Sequence, residues 1–380
     1  MSTAVPRILH VHSTFDPGGK EVRCVRLINH WRGAAQHAIV SGDLERRGAA
    51  ALLDKAIKVS WPKFPRLSGR PSLGRLKALG AAMAGYDLIC TYNWGAMDAV
   101  MAHTLFADVF KLPPLVHHED GFNEDEANGL KWRRNWYRRI ALGRCGALVV
   151  PSRQLERIAL ETWMQPRVKV RRIDNGIDTR AFARPVKADA LPGLIKRQGE
   201  KWLGTLAGLR AVKNLDALVR VVPHLPPEWN LVIAGEGPER AHLERLAADL
   251  KVDDRVHLPG FVRQPENLVG LLDVFALSSH SEQFPISLVE AMAAGLPVVA
   301  PRVGDIADMV ASDNGPLLYA PGDEAALLDG VQQLVGAPHE RKRLGQANRA
   351  KARAGFDQQA MFDRYRALYW GLMGRNTQAG

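Results

Sequence analysis

The stretch VFALSSHSEQFPISLVEAMAAGLPVVA, residues 274–300, has the pattern of a strand, a helix and a second strand in succession. An apolar run ends in small polar residues, a helix-compatible segment extends to Gly295, and LPVVA follows. Pro285 suits the first turn of a helix, where its missing N–H costs nothing. Because strands joined by a helix lie parallel in one sheet, this stretch predicts a unit of a parallel α/β fold.

Two carboxylates interrupt this otherwise apolar segment, Glu282 in the loop and Glu290 inside the helix. The backbone N–H groups of Gln283, Phe284 and Ile286 lie at the start of the helix, where unpaired donors and the helix dipole favour an anion. Alternatively, Glu282 only complements the dipole and Glu290 lies on a solvated face. A carboxylate within an apolar helix is costly unless it is paired, so the segment is a candidate ligand site.

Strand and helix patterns alternate along the rest of the chain. The first half contains the β-rich runs RILHVH, QHAIVSG, DLICTYN, PLVHH and ALVVPS, and the second half contains KWLGTLAGL, NLVIAGEG and RVHLPGF. A segment rich in proline, glycine and charge, near 180–198, separates the two series. Alternating strands and helices predict parallel sheets, and 380 residues exceed one ordinary domain. We therefore predict two α/β domains of similar size, at 1–182 and 183–356.

The last predicted helix, about 357–375, has an apolar stripe that includes Met361, Tyr365, Leu368 and Leu372. An exposed stripe this apolar needs a partner. The helix therefore either caps the second domain or crosses back to the first.

The composition is that of a globular protein, with 46% hydrophobic and 24% charged residues. No apolar run reaches the ~18–20 residues needed to span a bilayer, and the start of the chain lacks a signal-peptide pattern. Cys24, Cys90 and Cys145 are scattered, which argues against a disulfide frame or a structural zinc. We therefore expect a cytoplasmic protein.

The charge is unevenly divided along the chain. Residues 1–190 contain 30 Lys+Arg and 18 Asp+Glu, whereas the remainder contains 21 and 22. This basic excess indicates an anionic partner, such as a membrane surface, a nucleic acid or an acidic substrate, or it serves only solubility. Since no known nucleic-acid-binding module or aromatic platform accompanies it, we expect no nucleic-acid partner.

Two features of the first domain follow predicted strands. Gly18 and Gly19 stand between a strand and a helix, where glycine allows close approach to a ligand and the helix start offers N–H groups, although a plain turn is the favoured alternative. His118 ends the run PLVHH, and open α/β sheets bind ligands at the carboxyl ends of strands, but the residue alone favours a satisfied loop histidine. Five acids lie at 119–126. A metal site or a basic acceptor site is one interpretation of them, and a solvated loop is the favoured one.

The second domain places cations after its first strand. Arg210 and Lys213 follow WLGTLAGL and suit a diphosphate, or they are surface charges. The motif GEGP, 235–238, either clears space for a nucleotide or turns the chain. No Asp-x-Asp occurs in the sequence, so the usual cue for a metal-held nucleotide sugar is missing.

The segment 282–300 resembles the Glu-x7-Glu segment of retaining, GT-B-fold glycosyltransferases of family 4. The resemblance extends along most of the chain, because several motifs follow the family's order: the Gly18–Gly19 loop, His118, VVPS (149–152), DNGIDTRAF (174–182), Lys213-Asn214, GEGPERAHLERLA and RVHLPGFV. It implies two Rossmann-like domains that face each other across a cleft. The first would bind the acceptor and the second the nucleotide sugar.

The resemblance also implies roles for individual residues. Glu282 would contact the sugar hydroxyls, Glu290 would hold the ribose, and Arg210, Lys213 and the backbone of Gln283, Phe284 and Ile286 would hold the diphosphate. Backbone near Val262 would meet the base, the Gly18–Gly19 loop would approach the phosphates, and His118 would lie near the reacting sugar. No metal and no other cofactor are expected, because cations and the helix dipole would stabilise the leaving diphosphate.

The implied function is transfer of a sugar, with retention, to a glycan or polyprenyl-linked acceptor in cell-envelope or exopolysaccharide synthesis. A GT-B-fold sugar-nucleotide epimerase and a noncatalytic nucleotide-sugar-binding protein are the alternatives. The basic segment KWRRNWYRRIALGR (131–144) has Trp132 and Trp136 four residues apart. It suits an anionic membrane surface, or its tryptophans pack in the core. We thus expect an enzyme of the cytoplasm or of the inner face of the membrane.

Overall fold

A computed structural model describes residues 4–70, 72–122, 126, 129–191 and 193–375 of the chain. The chain divides into two compact units. Unit 1 extends to Asn175 and also includes the residues from Gln359 onwards, and unit 2 comprises Gly176–Gln358. Each unit is built around one parallel sheet with helices on its faces.

The sheet of unit 1 has seven parallel strands in the order β3-β2-β1-β4-β5-β6-β7. Its strands are β1 (Arg7–His12), β2 (Gln36–Ser41), β3 (Val59–Ser60), β4 (Leu88–Tyr92), β5 (Leu115–His118), β6 (Ala147–Val150) and β7 (Val170–Arg172). The helices before the return of the chain are α1 (Gly19–His30), α2 (Leu73–Ala82), α3 (Met97–Phe110), α4 (Trp132–Ala141) and α5 (Arg153–Arg157). The strand order reverses between β1 and β4, which places a crevice at the carboxyl ends of these strands.

The sheet of unit 2 has six parallel strands in the order β10-β9-β8-β11-β12-β13. Its strands are β8 (Lys201–Leu206), β9 (Trp229–Ala234), β10 (Val256–Gly260), β11 (Val274–Ala276), β12 (Val298–Pro301) and β13 (Leu318–Tyr319). Its helices are α6 (Thr179–Phe182), α7 (Leu215–Val221), α8 (Arg240–Asp249), α9 (Pro265–Val269), α10 (Ile286–Ala294), α11 (Ile306–Met309), α12 (Glu324–Val335) and α13 (Pro338–Gly355). Here the order reverses between β8 and β11.

These two sheets confirm the predicted α/β class. The segment 274–300 forms β11, α10 and β12. Pro285 is the N-cap of α10, one residue before the helix, and Gly295 ends the helix in the left-handed conformation that favours glycine. Strands such as β4 are buried along their whole length, because helices cover both faces of a parallel sheet.

The last helix, α14 (Gln358–Leu372), crosses back to unit 1. Its buried side chains join the core formed by α1 and the sheet of that unit: Met361, Phe362, Tyr365, Tyr369 and Trp370. Trp31, the C-cap residue of α1, makes edge-to-face contacts with Tyr369 and Trp370. The predicted apolar stripe therefore packs against the first unit. No helix in the described part of the chain is long and apolar enough to cross a membrane.

Candidate functional site

Two loops of unit 2 lie side by side because they follow neighbouring strands. β8 and β11 pair in parallel, with Leu203 opposite Val274. The carboxyl ends of both strands therefore meet at one edge of the sheet, where Arg210 and Lys213 follow β8 and Glu282 follows β11. The predicted cations and the first predicted carboxylate are thus brought together by the strand order.

Lys213 and Glu282 form an ion pair at this edge. The Nζ of Lys213 lies 2.6 Å from Oε1 of Glu282, and their side chains are 16% and 9% exposed. The hydroxyl of Ser279 donates to the same Oε1 at 2.7 Å. Such a half-buried pair holds both charges in place before any ligand arrives.

Backbone contacts fix the two loops to each other. Ser278 Oγ donates to the carbonyl oxygen of Lys213 at 3.0 Å, and the N–H of His280 donates to the carbonyl of Val212 at 2.9 Å. Ser278 and Ser279 are both buried. The backbone that carries the side chains of Lys213 and Glu282 is therefore held in place by these hydrogen bonds.

The start of α10 offers hydrogen-bond donors beside this ion pair. Among the described residues, the backbone N–H groups of Gln283 and Phe284 have no partner, and the first turn of any helix leaves its N–H groups without intrahelical acceptors. No acidic side chain occupies the first turn of α10. The start of α10 therefore combines unpaired N–H donors with the positive end of the helix dipole, and this arrangement binds anionic groups.

Gly304 packs closely against the backbone of the same loop. It has φ +55°, and a Cβ atom built there would lie 2.3 Å from the carbonyl oxygen of Glu282 and 2.9 Å from that of Gln283. The aromatic ring of Phe284 is buried against that of Phe356, with centroids 5.6 Å apart. The loop backbone is therefore held on both sides, and sequence analysis did not single out Gly304.

The remaining predicted residues of unit 2 lie in different environments. Glu290 is buried on the fifth residue of α10, among apolar neighbours. Arg210 is exposed and makes no ion pair with a described residue. Val262 is half-buried in the loop after β10, beside the exposed ring of Phe261.

The motif GEGP has a packing role in the structure. Cβ atoms at Gly235 and Gly237 would lie 1.9 Å and 2.2 Å from the carbonyl oxygens of Ala207 and Leu209. These glycines therefore let the turn after β9 approach the backbone of the loop after β8, which carries Arg210. This close backbone approach alone explains why both positions are glycine, and no ligand is needed to explain them.

In unit 1, Gly18 is the N-cap of α1 and Gly19 is its first residue. The carboxylate of Glu21 folds back against this loop, because a Cβ at Gly18 would lie 2.8 Å from Oε2 of Glu21. Glu21 is buried and pairs with Lys20, and burial raises the pKa of Glu21. The side of the loop that faces Glu21 is thus occupied by a protein carboxylate.

The ring of His118 is fully buried in unit 1. Its Nδ1 lies 3.1 Å from the carbonyl oxygen of Thr91, and its Nε2 lies 2.7 Å from the hydroxyl of Tyr369. Because a carbonyl only accepts, Nδ1 carries the hydrogen and Nε2 accepts from Tyr369. Burial lowers the pKa of His118 well below its usual value, so the ring is neutral. Both ring nitrogens have protein partners, and a role near the reacting sugar stays a prediction.

The acid run at 119–126 is not the solvated loop favoured by its composition. Glu119 and Glu126 are buried, and Asp120 pairs with the buried Arg23 of α1. Glu124 and Asp125 lie outside the described residues. The interpretation was wrong for the three described acids because their cationic partners are remote in sequence.

Arg138 of α4 is the centre of this buried charge cluster. Its guanidinium lies 3.3 Å from Glu119 and 3.1 Å from Glu126. The rings of Trp94, Phe122 and Trp163 surround it, with centroids 4.9 to 5.4 Å from its Cζ. Arg138 is thus a structural residue. No group of three His, Cys, Asp or Glu among the described residues is placed to hold a metal ion.

Trp132 and Trp136, by contrast, are exposed on α4, by 67% and 54%. Arg133 lies over the ring of Trp132 and Arg139 over that of Trp136, at 5.4 Å and 4.6 Å. The alternative in which these tryptophans pack in the core is therefore wrong.

Comparison with known proteins agrees with this arrangement. The family model described as Glycosyltransferase Family 4 matches residues 17–181, and the model described as Glycosyl transferases group 1 matches residues 189–351. The chain is 32% identical over 234 residues to D-inositol 3-phosphate glycosyltransferase of Xylanimonas cellulosilytica, covering 58% of this chain and 56% of that protein. It therefore spans little more than half the length of that relative.

A second relative matches along nearly its whole length. The lipopolysaccharide core biosynthesis glycosyltransferase LpsD of Rhizobium meliloti is 28% identical over 377 residues, which cover 96% of this chain and 98% of LpsD. Among solved structures, HepE of Anabaena in complex with UDP-glucose has a TM-score of 0.78 at 20% identity, covering 94% of this chain and 98% of HepE. That likeness shows the fold. The two family models and the fold together show that the chain belongs to the family 4 glycosyltransferases with the GT-B fold.

Proposed function

We propose that the protein is a retaining glycosyltransferase that moves a sugar from a nucleoside diphosphate sugar to a glycan or lipid-linked acceptor, in the synthesis of a cell-surface polysaccharide. The observation that carries the proposal is the ion pair of Lys213 and Glu282 beside the unpaired N–H groups at the start of α10. The relative LpsD acts in lipopolysaccharide core biosynthesis, and HepE binds UDP-glucose, which supports a donor and an acceptor of these classes.

The diphosphate of the donor fits the start of α10. The N–H groups of Gln283 and Phe284 and the first turn of the helix donate to phosphate oxygens. An ammonium group has three hydrogens, so Lys213 keeps two donors for phosphate while one goes to Glu282. The exposed guanidinium of Arg210 adds charge at the rim. In the same pose Glu290 holds the ribose.

The other contacts of the donor extend this pose. Glu282 accepts hydrogen bonds from hydroxyls of the sugar, and backbone near Val262 meets the base. The roles near the phosphates and the sugar that the resemblance implies for Gly18, Gly19 and His118 of unit 1 stay predictions. These assignments rest on the order of the family's motifs in the sequence.

The reaction breaks the bond between the anomeric carbon and the diphosphate oxygen and forms a bond from the same carbon to the acceptor oxygen. The proton of the acceptor hydroxyl goes to the leaving phosphate, on the same face of the sugar. Donors fixed before the reaction stabilise the charge that develops on the leaving group, and such preorganised electrostatics supply much of the rate in enzymes of this kind. No step assigned to these residues needs a metal ion.

A panel of nucleotide sugars tests the donor. We expect one of UDP-glucose, UDP-N-acetylglucosamine, GDP-mannose or ADP-glucose to raise the melting temperature of the wild-type protein. Lys213→Ala and Glu282→Ala should abolish transfer while the variants stay folded. Arg263→Ala, an exposed cation next to Val262 that has no assigned role, is the matched control. Wild-type turnover in either site variant would reject the assignment.

Product analysis separates the alternatives. A glycosyltransferase releases the nucleoside diphosphate only as the acceptor is glycosylated, whereas an epimerase converts the nucleotide sugar without an acceptor. A noncatalytic binding protein binds the donor and changes nothing. Incubation with labelled donor and lipid-linked glycan extract distinguishes the three outcomes.

We propose in addition that α4 contacts the anionic inner face of the membrane, where lipid-linked acceptors are found. Trp132, Trp136 and Ile140 recur every four residues and are all exposed, so they form one apolar face. Arg133 and Arg139 lie against its two tryptophan rings. Aromatic and basic side chains on one helix face suit an anionic lipid surface.

Flotation with vesicles tests this contact. We expect the wild type to float with phosphatidylglycerol vesicles and not with phosphatidylcholine vesicles, and Trp132→Ala/Trp136→Ala to lose flotation. Leu105→Ala/Val109→Ala removes two exposed apolar side chains from α3 and should leave flotation unchanged. Flotation that does not depend on anionic lipid would refute the contact.

A further inference from the structure

We infer that Ser279 is a positioning residue that fixes one carboxylate oxygen of Glu282, so that the other oxygen is presented to the sugar of the donor. This inference rests on the proposed function and specifies how the site distinguishes a nucleotide sugar from the bare nucleotide.

The contacts of Glu282 are asymmetric. Oε1 accepts from both Ser279 Oγ, at 2.7 Å, and Lys213 Nζ, at 2.6 Å. Oε2 has no hydrogen-bond or ion-pair partner among the described residues. A carboxylate oxygen accepts more than one hydrogen bond, so two donors on one oxygen leave the whole of the second oxygen for a ligand.

The two anchors of Oε1 differ in rigidity. Lys213 reaches Glu282 through a flexible four-carbon chain, whereas the hydroxyl of Ser279 is one bond from a Cβ that is fixed by the backbone. That backbone is held in turn, because Ser278 bonds the carbonyl of Lys213 and His280 bonds that of Val212. Ser279 is 1% exposed, so its hydroxyl is buried away from bulk solvent.

This difference matters when the donor binds. The diphosphate competes with Glu282 for the ammonium group of Lys213, because both are anionic. If Lys213 turns towards the phosphates, only Ser279 keeps Oε1 in place. Ser279 then determines whether Oε2 is aimed at the sugar hydroxyls, while the nucleotide is held elsewhere along α10.

Titration calorimetry with a nucleotide sugar and its bare nucleotide tests the inference. The probes are UDP-glucose with UDP, and GDP-mannose with GDP, whichever pair the wild type binds. Ser279→Ala should raise the dissociation constant of the nucleotide sugar roughly tenfold or more, as expected for a lost hydrogen bond to a charged group. The dissociation constant of the bare nucleotide should change by less than about twofold. In a Glu282→Ala background the same substitution should have no further effect.

Tyr319→Phe is the matched control. It deletes another buried hydroxyl of unit 2 that makes a 2.7 Å bond, to the carbonyl of Leu277, and it does not touch Glu282. Both ligands should bind this variant as they bind the wild type. If Ser279→Ala weakens the binding of the nucleotide and of the nucleotide sugar equally, or leaves both affinities unchanged, Ser279 is only structural and the inference is overturned. If the wild type binds no nucleotide sugar, the proposed function fails first.

Discussion

Gly304→Ala should displace the loop at residues 282–284, which we propose binds the diphosphate, without unfolding the protein. The new Cβ would lie 2.3 Å from the carbonyl oxygen of Glu282, whereas real Cβ contacts essentially never fall under 3.0 Å. The loop must therefore move by about 0.7 Å, the difference between these distances. The atom that must give way is backbone, so no side-chain rotation relieves the contact.

The destabilisation by Gly304→Ala has two parts, the strain of the left-handed backbone and the contact with Glu282, and a matched control separates them. Gly304 has φ +55°, and Gly322, also in unit 2, has φ +81° with nothing within 4 Å of its Cβ position. Alanine at either site is strained by roughly 1–2 kcal/mol, because the left-handed conformation disfavours a Cβ. Only Gly304→Ala adds the contact with Glu282. A displacement of about 1 Å in a catalytic group can reduce activity by ~100-fold.

The assay compares both variants by melting temperature and by kcat/KM with the donor that the wild type uses. Gly322→Ala should lose about 2–8 °C, since 1 kcal/mol corresponds to about 2–4 °C in a domain of this size, and Gly304→Ala should lose at least as much because of the added contact. Gly304→Ala should also lose activity by one to two orders of magnitude, and Gly322→Ala should keep it. Equal activity in the two variants would refute the placement of the site at the start of α10.

Three further predictions concern unit 1. Arg138→Ala should lower the free energy of unfolding by roughly 3–5 kcal/mol, because it removes the buried cation that pairs with both Glu119 and Glu126 and leaves Glu126 with Arg134 alone, whereas the exposed Arg133→Ala should stay within about 0.5 kcal/mol in chemical denaturation. Burial lowers the pKa of His37 to about 4. The unfolded chain therefore binds more protons, and the contribution of His37 to the free energy of unfolding should fall by roughly 3 kcal/mol as the pH drops from about 6.5 to about 4, a slope that His37→Gln should reduce in pH-dependent melting. Tyr369→Phe removes the donor to Nε2 of His118 and should cost roughly 1–3 kcal/mol. An unchanged melting temperature in Tyr369→Phe would contradict a stabilising role for this hydrogen bond.

Local signals were sufficient for the elements that carry the site. β11, α10 and β12 follow from two apolar runs, a proline before the helix and Gly295 after it, all within residues 274–300. The bond from Ser279 to Glu282 was not predictable, although the two are only three residues apart. It depends on how the loop is held by the backbone of Lys213 and Val212, 65 and more residues earlier in the chain.

Buried charge is where composition was misleading. Glu119 and Glu126 occur in a run of acids that resembles a solvated loop, but their partner Arg138 lies on α4. The aromatic rings that enclose this arginine come from three separate segments of the chain. A single sequence shows neither the pairing nor the enclosure, because both arise only when the helices pack on the sheet.

The two units treat the carboxyl ends of their strands differently. In unit 1 the last side chains of β1, β4 and β5 are the buried rings of His12, Tyr92 and His118, which stack with centroids 3.9 Å and 4.6 Å apart. Burial lowers the pKa of both histidines, so neither ring is charged near neutral pH. In unit 2 the corresponding edge presents the partly exposed charges of Lys213 and Glu282.

This contrast bears on the source of the base in the proposed reaction. A general base must reach the proton of the acceptor, and a ring that is fully buried with both nitrogens bonded, such as that of His118, does not. Deprotonation by the leaving phosphate needs no such residue and needs only donors that hold the phosphate in place. The donors at the start of α10 and on Lys213 meet that requirement, so we expect substitutions at the unit 2 edge to reduce kcat and those at His118 to act mainly through stability.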